Sequence, residues 1–401
     1  MRVKEVMKKY VALVLCLSAA GAGVCGCSPE EEGVYDESAV SHEPAPGEAH
    51  FARSGALTVK TTLPVCPAQP VRPRLIAEWE PMRGALIRFP LGISLDFVAQ
   101  ISDESQVFVL ADAGQVGKAE RAFARAGVNL DHVSFIEGPT DTYWTRDYAP
   151  WWIVEGEAHQ RVVRAVDPIY YDDRQNDDLA PVKIAEYLGQ PCYRPIGITI
   201  QGGNMMADGL GVGASTKRVY KQNPDLTPAA IAKLAKEIVG FDPYHLVDDS
   251  TGTYIEHIDT WAKFISETKI LIRRVPPDHP QYQATEAAVR TFAGIKNGAN
   301  KPFEVFRVDS PNNEPFTNHL VLNNRVFVPV WDGEDRSKID KAGLDQIRAA
   351  YGPGYRVFGV LPGKQDWLST DSLHCRVNAI PSSANTPSRR PASLAAHPML
   401  S

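Results

Sequence analysis

The chain has 401 residues, 44% of them hydrophobic, and a formal net charge of −6. This length suits one large α/β domain or two average domains, and the composition is ordinary for a protein with a sizeable buried core. The negative charge argues against binding to nucleic acid, which requires a basic face, so no nucleic-acid partner is expected.

The first 26 residues are typical of a lipoprotein signal peptide. A basic segment at 2–9 precedes an apolar run at 10–24 that is too short to span a bilayer permanently. The run ends in VCGC at 24–27, which resembles the bacterial lipobox, so Cys27 would become the lipid-bearing first residue. An ordinary secretory signal is the alternative. Both interpretations predict export, and the lipobox predicts a membrane anchor at the outer membrane or cell surface.

Two other segments lack hydrophobic periodicity and cannot bury much surface. Residues 27–69 are rich in Glu, Pro, Gly and Ala, and residues 382–401 are rich in Pro and Ser. Such compositions are typical of chain that does not pack, so we expect a flexible tether and a disordered tail. Residues 70–381 would then hold the folded part as a single domain.

The cysteines are divided by the predicted signal. Three lie within it or directly after it: Cys16, Cys25 and Cys27. The folded part and its approach keep Cys66, Cys192 and Cys375. An odd set in an exported protein predicts at least one free thiol. Cys66 could pair with Cys192, and the sequence leaves that open.

Five helical patterns carry apolar residues at i, i+3 and i+4. They are Gly114–Ala126, Leu179–Leu188, Thr227–Val239, Tyr282–Ala293 and Ser337–Tyr351. Their starts are roughly 50 to 65 residues apart, a spacing typical of repeated strand-and-helix units. Five such units would form a radial α/β propeller. The alternative is a doubly wound sheet, but no Gly-rich phosphate loop follows a strand.

Short β-like runs lie between the helical patterns. They are Ala85–Phe89, Val107–Leu110, Val133–Ile136, Trp151–Val154, Arg161–Val166, Lys269–Ile272, Phe303–Arg307, Arg325–Val328 and Arg356–Val360.

Four segments look unlike scaffold. They are Tyr143–Trp152, Gln201–Asn204, Tyr254–Asp259 and Thr370–Cys375. The third has His257 and Asp259 two positions apart, which on a strand would place both side chains on one face. Taken singly, such features are more often structural: a lone His–Asp pair is usually a hydrogen-bonded core pair, and a single cysteine is usually buried filler.

Together these segments supply the groups needed to attack a guanidinium carbon. Guanidinium stays charged and delocalised near neutral pH, so its carbon is a poor electrophile. Two carboxylates could hold its N–H edges, and a thiolate could then attack the held carbon. A histidine could protonate the leaving ammonia and later activate water. This chemistry requires neither a cofactor nor a metal.

The chain resembles the bacterial (Porphyromonas-type) peptidylarginine deiminases and, more distantly, the agmatine deiminases of the guanidino-group-modifying superfamily. The shared stretches are Ala77–Pro81, Tyr143–Asp147, Gly202–Asn204, Tyr254–Trp261, Lys269–His279, Thr317–Pro329 and Thr370–Arg376. They follow the family's order from about Glu78 to Arg376. The resemblance implies a fivefold pseudosymmetric α/β propeller, the pentein fold, with residues 70–381 as one catalytic domain.

The resemblance also implies roles for individual residues. Cys375 would be the nucleophile and His257 the general acid and base. Asp147 and Asp259 would hold the guanidinium. Further pocket residues would be Trp144 beside the alkyl stem, Tyr254, Asn318 and Thr370. His374 is not the family's catalytic histidine, and on a strand it would point away from Cys375.

One departure from the family concerns the substrate. The resembled enzymes use two arginines, one residue apart, to bind the carboxylate of a C-terminal arginine. Here Arg174 remains, and Asp172 occupies the other position. Losing one such contact typically costs about 1.5–3 kcal/mol. A strict preference for C-terminal arginine is therefore not expected.

The leading hypothesis is a deiminase that converts arginine in peptides or proteins to citrulline. Agmatine deimination to N-carbamoylputrescine is the alternative within the same chemistry, although export argues against a polyamine-pathway enzyme. A non-catalytic lipoprotein that binds arginine-containing peptides, and a cysteine protease using Cys375 with His257, are alternatives from other classes.

Overall fold

The computed structural model describes residues 62–157, 159–331 and 333–382. The predicted signal peptide, the lipidation of Cys27, most of the tether and the tail after residue 382 lie outside these residues. Within the described ranges, no helix combines the length and the apolar character that a membrane crossing requires.

The secondary structure comprises short strands and mostly short helices. The strands are β1 (Arg74–Leu75), β2 (Met82–Arg88), β3 (Gln106–Ala111), β4 (Val133–Glu137), β5 (Trp151–Glu155), β6 (Val162–Ile169), β7 (Arg194–Thr199), β8 (Met206–Ala207), β9 (Gly213–Thr216), β10 (Tyr244–Val247), β11 (Ala262–Ser266), β12 (Lys269–Arg274), β13 (Glu304–Asp309), β14 (Leu320–Leu322), β15 (Arg325–Pro329), β16 (Arg356–Val360) and β17 (Asn378–Pro381). The α-helices are α1 (Leu95–Ser102), α2 (Ala113–Arg125), α3 (Thr145–Tyr148), α4 (Gln175–Asp178), α5 (Ala180–Tyr187), α6 (Arg218–Gln222), α7 (Pro228–Leu234), α8 (Tyr282–Gly294) and α9 (Glu334–Tyr351). A π-helical turn, Ala235–Val239, extends α7.

The strands form five separate sheets that share one pattern. In each sheet a strand pairs antiparallel with its neighbour, and that neighbour pairs in parallel with a third strand. The sets are β17-β2-β3, β5-β6-β7, β8-β9-β10, β11-β12-β13 and β14-β15-β16, with β4 and β1 as additional edge strands of the first two. A parallel pair needs a crossover, and here one or two helices supply it. The C-terminal β17 completes the sheet of β2, which closes the ring and confirms the predicted fivefold α/β propeller.

The crossover helices explain why the repeat was visible in the sequence. All five predicted helices are present, and four of them, α5, α7, α8 and α9, connect parallel strands. The predicted helix at 114–126 corresponds to α2, which instead connects β3 to the additional strand β4. The crossover of that sheet is α1, which was not predicted because its eight residues are too few for a strong period. The count of five units is correct, although α2 is not equivalent to the other four.

Apolar clusters join neighbouring sheets and fix their arrangement. One cluster combines Leu86 and Phe108 of the first sheet with Trp152 of the second. Another packs Phe264 of β11 against Phe292 of α8, with the two rings edge to face and their centroids 6.0 Å apart. Truncating a buried aromatic of this kind to alanine typically costs about 3–5 kcal/mol. This packing holds the loops between the sheets in place.

The approach to β1 is attached to the fold rather than flexible throughout. Cys66 forms a disulfide with Cys192, which answers the pairing question that the sequence left open. Val65 forms a β-bridge with Tyr193, and Leu63 packs against an apolar cluster. Ordered structure therefore begins before residue 70, within the end of the predicted tether.

Candidate active site

Five loops, one from each sheet, converge on one site. Each loop lies immediately before the first strand of an antiparallel pair: β5, β8, β11, β14 or β17. In that order the loops carry Asp147, Gly203, Asp259, Asn318 and Cys375. The pseudosymmetry of the propeller thus places one side chain or backbone group from every sheet around a common centre.

The thiol of Cys375 lies at this centre and is buried, with 2% of the residue exposed. Asn318 Nδ2 donates a hydrogen bond to the Cys375 sulfur at 3.2 Å, and the sulfur lies 3.9 Å from Asp259 Oδ2. Burial raises the pKa of the thiol well above its usual value, and the negative charges of Asp259 and Asp147 raise it further. Cys375 is the free cysteine of the described residues, which agrees with the predicted free thiol.

The two predicted carboxylates and His257 all lie close to Gly203. Asp147 Oδ1 accepts a hydrogen bond from the backbone N–H of Gly203 at 3.0 Å and lies 3.6 Å from His257 Nδ1. Burial raises the pKa of Asp147 well above its usual value, and the charge of Asp259 adds to this. A bound cation would reverse that effect, since an opposite charge favours the ionised carboxylate.

His257 is fully buried, and burial lowers its pKa to about 3. It is therefore a neutral imidazole at ordinary pH and can accept a proton. Its Nε2 lies 3.4 Å from Gln201 Oε1. The prediction that His257 and Asp259 share a strand face was wrong, because the segment after His257 is a 3₁₀ turn, Ile258–Thr260. That turn still brings both side chains into the site.

Two buried polar atoms of this group lack a hydrogen-bond partner among the described residues: Asp259 Oδ1 and His257 Nδ1. Unpaired buried polar atoms are rare because each costs about 1–3 kcal/mol. His257 Nδ1 lies 3.6 Å from Asp147, and Asp259 lies 3.9 Å from the Cys375 sulfur, so a polar ligand near these residues would supply the missing partners.

Gly203 is required by the close approach of these groups. A Cβ at this position would lie 2.8 Å from both Asp147 Oδ1 and His257 Nδ1, and 3.1 Å from Asp259 Oδ2. The sequence predicted a tight turn where backbone comes close to something. The structure identifies what it approaches.

An aromatic cleft leads to Cys375. Its walls include Trp144, Tyr171, Arg174, Tyr254 and Thr370. The Arg174 guanidinium lies 4.7 Å from the centre of the Trp144 ring and 5.3 Å from that of Tyr171. Tyr254 is 47% exposed, as expected for a residue at the cleft's outer end. The cleft is thus lined by flat rings and one cation.

Two predicted substrate contacts, Asn318 and Asp259, are not among the residues that line the cleft, and Asp259 instead lines a second cavity. Asn318 lies behind the cleft wall, where it hydrogen-bonds Asp259 Oδ2 at 3.0 Å and the Cys375 sulfur. Asp172, at the position of the family's other arginine, is exposed and does not line the cleft. Its carboxylate therefore does not place a negative charge in the cleft wall.

The sequence assigned no role to His374, because it is not the family's catalytic histidine and a strand would also turn it away from Cys375. The segment before β17 is a series of turns, and His374 Nδ1 lies 2.7 Å from Asp259 Oδ2. Its Nε2 lies 2.7 Å from Glu78 Oε1. Glu78 belongs to one of the stretches that carry the family resemblance, and that was the only signal for it in the sequence.

Residues 74–381 match the family model of the Porphyromonas-type peptidyl-arginine deiminases. The chain belongs to this family. As a member it is a deiminase, a hydrolase that acts on the C–N bonds of amidine and guanidino groups.

Relatives in sequence and structure carry related names. The chain is 23% identical to the agmatine deiminase of Ectopseudomonas mendocina over 306 residues. The aligned region covers 65% of this chain and 80% of that protein. The fold matches the agmatine deiminase of Enterococcus faecalis with a TM-score of 0.68, at 17% identity and covering 79% of this chain and 99% of that one. It matches a Porphyromonas gingivalis protein, provisionally named an arginine deiminase, with a TM-score of 0.66, at 17% identity and covering 78% and 99%.

Proposed function

We propose that this deiminase acts on arginine in peptides or proteins and converts its guanidinium to a ureido group with release of ammonia. The observation that carries the chemistry is the convergence of a buried thiol, the Asp147 carboxylate and a neutral imidazole in one cleft, with Asp259 Oδ2 3.9 Å from the sulfur. The observation that favours an arginine substrate over agmatine is Arg174 in the cleft wall.

In the first half-reaction, Asp147 and Asp259 hold the planar guanidinium through its N–H groups. The cation between them lowers the pKa of Cys375, whose proton passes to His257. The sulfur attacks the guanidinium carbon and forms a C–S bond. His257 then returns the proton to one nitrogen, the C–N bond breaks, and ammonia leaves. A cationic amidino group remains bound to the sulfur.

In the second half-reaction, His257 accepts a proton from water, and the resulting hydroxide attacks the same carbon. The tetrahedral adduct collapses to the ureido product as the C–S bond breaks. One proton returns to the Cys375 sulfur, and the other is taken up by the released ammonia. Thiol and imidazole are thereby restored.

The charge of Arg174 determines which groups are favoured at the end of the substrate opposite its guanidinium. Its charge suits the carbonyl or carboxylate groups of an arginine main chain, to which a guanidinium donates strong hydrogen bonds. Agmatine carries an ammonium at the same end, and Arg174 would repel it. The other charged side chain of the outer cleft, Asp371, is held in an ion pair with Arg376 at 2.8 Å.

Agmatine remains the second candidate because sequence relatives and fold neighbours are named agmatine deiminases. One assay separates the candidates. The protein is incubated with an internal-arginine peptide, a C-terminal-arginine peptide, free arginine and agmatine, and ureido product and ammonia are measured. We expect product from the peptides. Product from agmatine alone would overturn the peptidyl proposal, and no product from any substrate would overturn deimination. Cleaved peptide bonds without ureido product would indicate a protease.

We also propose that the chain is exported and anchored through Cys27. The Cys66–Cys192 disulfide supports export, because such bonds persist mainly in oxidising compartments. Incorporation of radiolabelled fatty acid in the native host should occur in the full chain and be lost in Cys27→Ser. Equal labelling of both forms would contradict the anchor.

A further inference from the structure

A second cavity lies behind the catalytic residues. Its lining includes Glu78, Arg146, Asp259, Lys263 and His374, together with apolar side chains from several sheets. Residues that are adjacent in the chain line different cavities. Arg146 and His374 line the rear cavity, whereas Asp147 and Cys375 line the cleft. The proposed catalytic residues thus form a thin wall between the cleft and a rear cavity.

Within this wall, His374 connects Asp259 to Glu78 with both ring nitrogens at 2.7 Å from a carboxylate oxygen. An ionised carboxylate can only accept hydrogen bonds. Both contacts are hydrogen bonds only if both nitrogens carry a proton, which makes His374 an imidazolium. His374 is itself buried, with 1% of the residue exposed.

Glu78 is arranged to remain ionised opposite this imidazolium. Burial alone would raise its pKa, but the cations of His374, Lys263 and Arg146 hold it well below the usual range. Lys263 Nζ donates to Glu78 Oε2 at 2.9 Å, and Arg146 Nη1 lies 3.3 Å from Glu78 Oε1. The rear cavity therefore contributes an anion that holds Nε2 of the His374 ring in place.

Next to the thiol of Cys375, the two oxygens of Asp259 differ in their contacts. Oδ2 is bound by His374 Nδ1 and by Asn318 Nδ2 at 3.0 Å. Oδ1 is buried and has no hydrogen-bond partner among the described residues. The contacts on Oδ2 fix the carboxylate so that Oδ1 is available to a ligand.

We propose that His374, held as an imidazolium by Glu78, is a positioning residue that orients Asp259 so that Oδ1 receives the substrate guanidinium. This inference rests on the proposed deimination but concerns a residue that does not touch the substrate. It predicts that loss of His374 weakens binding of the cation more than it slows the chemistry.

Two substitutions separate orientation from simple packing. His374→Leu removes both contacts, whereas His374→Asn keeps an N–H near the position of Nδ1. In a Cys375→Ser background, which binds without turnover, we expect His374→Leu to weaken binding of an arginine peptide by about 30- to 100-fold, as for a lost charged hydrogen bond. His374→Asn should restore at least about a third of the lost binding free energy. His245→Asn, in β10 outside the site, should leave binding unchanged.

The readouts are calorimetric binding in the Cys375→Ser series, and KM and kcat in the otherwise native enzyme. A purely structural role for His374 would lower kcat through loss of active protein and leave KM and binding unchanged, which would overturn the proposal. Nuclear magnetic resonance of the His374 ring provides a test without substrate. Protonation of both nitrogens at neutral pH supports the proposal, and a neutral ring overturns it. Absence of turnover in the native enzyme would instead count against deimination alone.

Discussion

Across the catalytic wall, the Glu78–His374 pair and the groups beside Cys375 differ in how completely their polar atoms are paired. On the rear side, Glu78 is surrounded by three cations and both nitrogens of His374 are bound. Beside Cys375 and Asp147, His257 Nδ1 and Asp259 Oδ1 have no hydrogen-bond partner among the described residues. The paired side supplies rigidity, and the unpaired side supplies the binding capacity. A site preorganised in this way stabilises charge without rearranging when the ligand arrives.

The same contrast applies to protonation. Burial and the two nearby carboxylates keep the Cys375 thiol protonated, and burial keeps His257 neutral. These shifts disfavour the thiolate in the absence of a cation, and the positive charge of a bound guanidinium would favour it. The substrate is therefore part of what activates the nucleophile.

The largest expected effect comes from removing one of the two carboxylates near Cys375. Asp147→Asn or Asp259→Asn should lower kcat/KM for the arginine peptide by about 10³-fold, because each carboxylate binds and orients the cation. The same changes should increase the rate at which iodoacetamide alkylates Cys375 at pH 8, since the thiol pKa falls when a neighbouring negative charge is removed.

Peptide-level mass spectrometry measures that alkylation at Cys375 itself, and ammonia release measures turnover. Opposite changes in the two rates are the distinguishing result. A fall in both rates would indicate a collapsed site and contradict the electrostatic account.

The next effect concerns the close approach of backbone to the site. Gly203→Ala introduces a Cβ 2.8 Å from Asp147 Oδ1 and His257 Nδ1. We expect kcat/KM to fall about 10- to 100-fold and unfolding free energy to drop by about 1–3 kcal/mol, as in overpacked cores. Gly114→Ala in α2 is the matched control, because a Cβ there meets nothing within 4 Å. Equal activity of the two variants would show that Gly203 tolerates a side chain.

These three-dimensional contacts mark the limit of what the sequence could predict. The five-unit propeller followed from helix spacing, and nine strands were found where alternation indicated them. Strands such as β7, β8 and β9 were missed because they are short or contain Pro or Gly, whose presence hides the pattern. Their positions are fixed by neighbouring sheets rather than by local preference.

The same limit applies to the active site, where some residues could be identified from the sequence and others could not. Cys375, His257, Asp147 and Asp259 were selected by the family resemblance, and the structure brings them together. The contact of His374 with Glu78 joins residues 296 positions apart, so no local pattern could indicate it. The strand expectation for His374 and for the His257–Asp259 pair was wrong because both segments are turns. Side chains in turns can point in directions that the alternation of a strand does not predict.

A smaller effect is expected at the outer cleft. Arg174→Gln should raise KM about 10-fold for a C-terminal-arginine peptide, because a charge-assisted contact to the substrate carboxylate is lost. Turnover of agmatine should stay the same or improve, since repulsion of its ammonium is removed. Steady-state kinetics on the two substrates measures the difference. A parallel loss on both would assign Arg174 to packing against Trp144 and Tyr171.

The smallest effect is expected at Asp172. Because Asp172 is exposed and outside the cleft lining, Asp172→Arg should improve the preference for C-terminal over internal arginine by only about 3-fold, the range of a solvent-exposed charge pair. Competition between the two peptides measures this ratio, with Asp173→Arg as the neighbouring control. No change, or the same change in both variants, would remove Asp172 from the account of specificity.

The central claim is that Cys375 forms a covalent bond to the guanidinium carbon during deimination. The most direct measurement is acid quenching of the enzyme during turnover of an arginine peptide, followed by mass spectrometry of the Cys375 peptide. The account predicts an adduct on Cys375 whose added mass equals the substrate less ammonia, absent from Cys375→Ser, which should also lose turnover. Continued ammonia release by Cys375→Ser would contradict it.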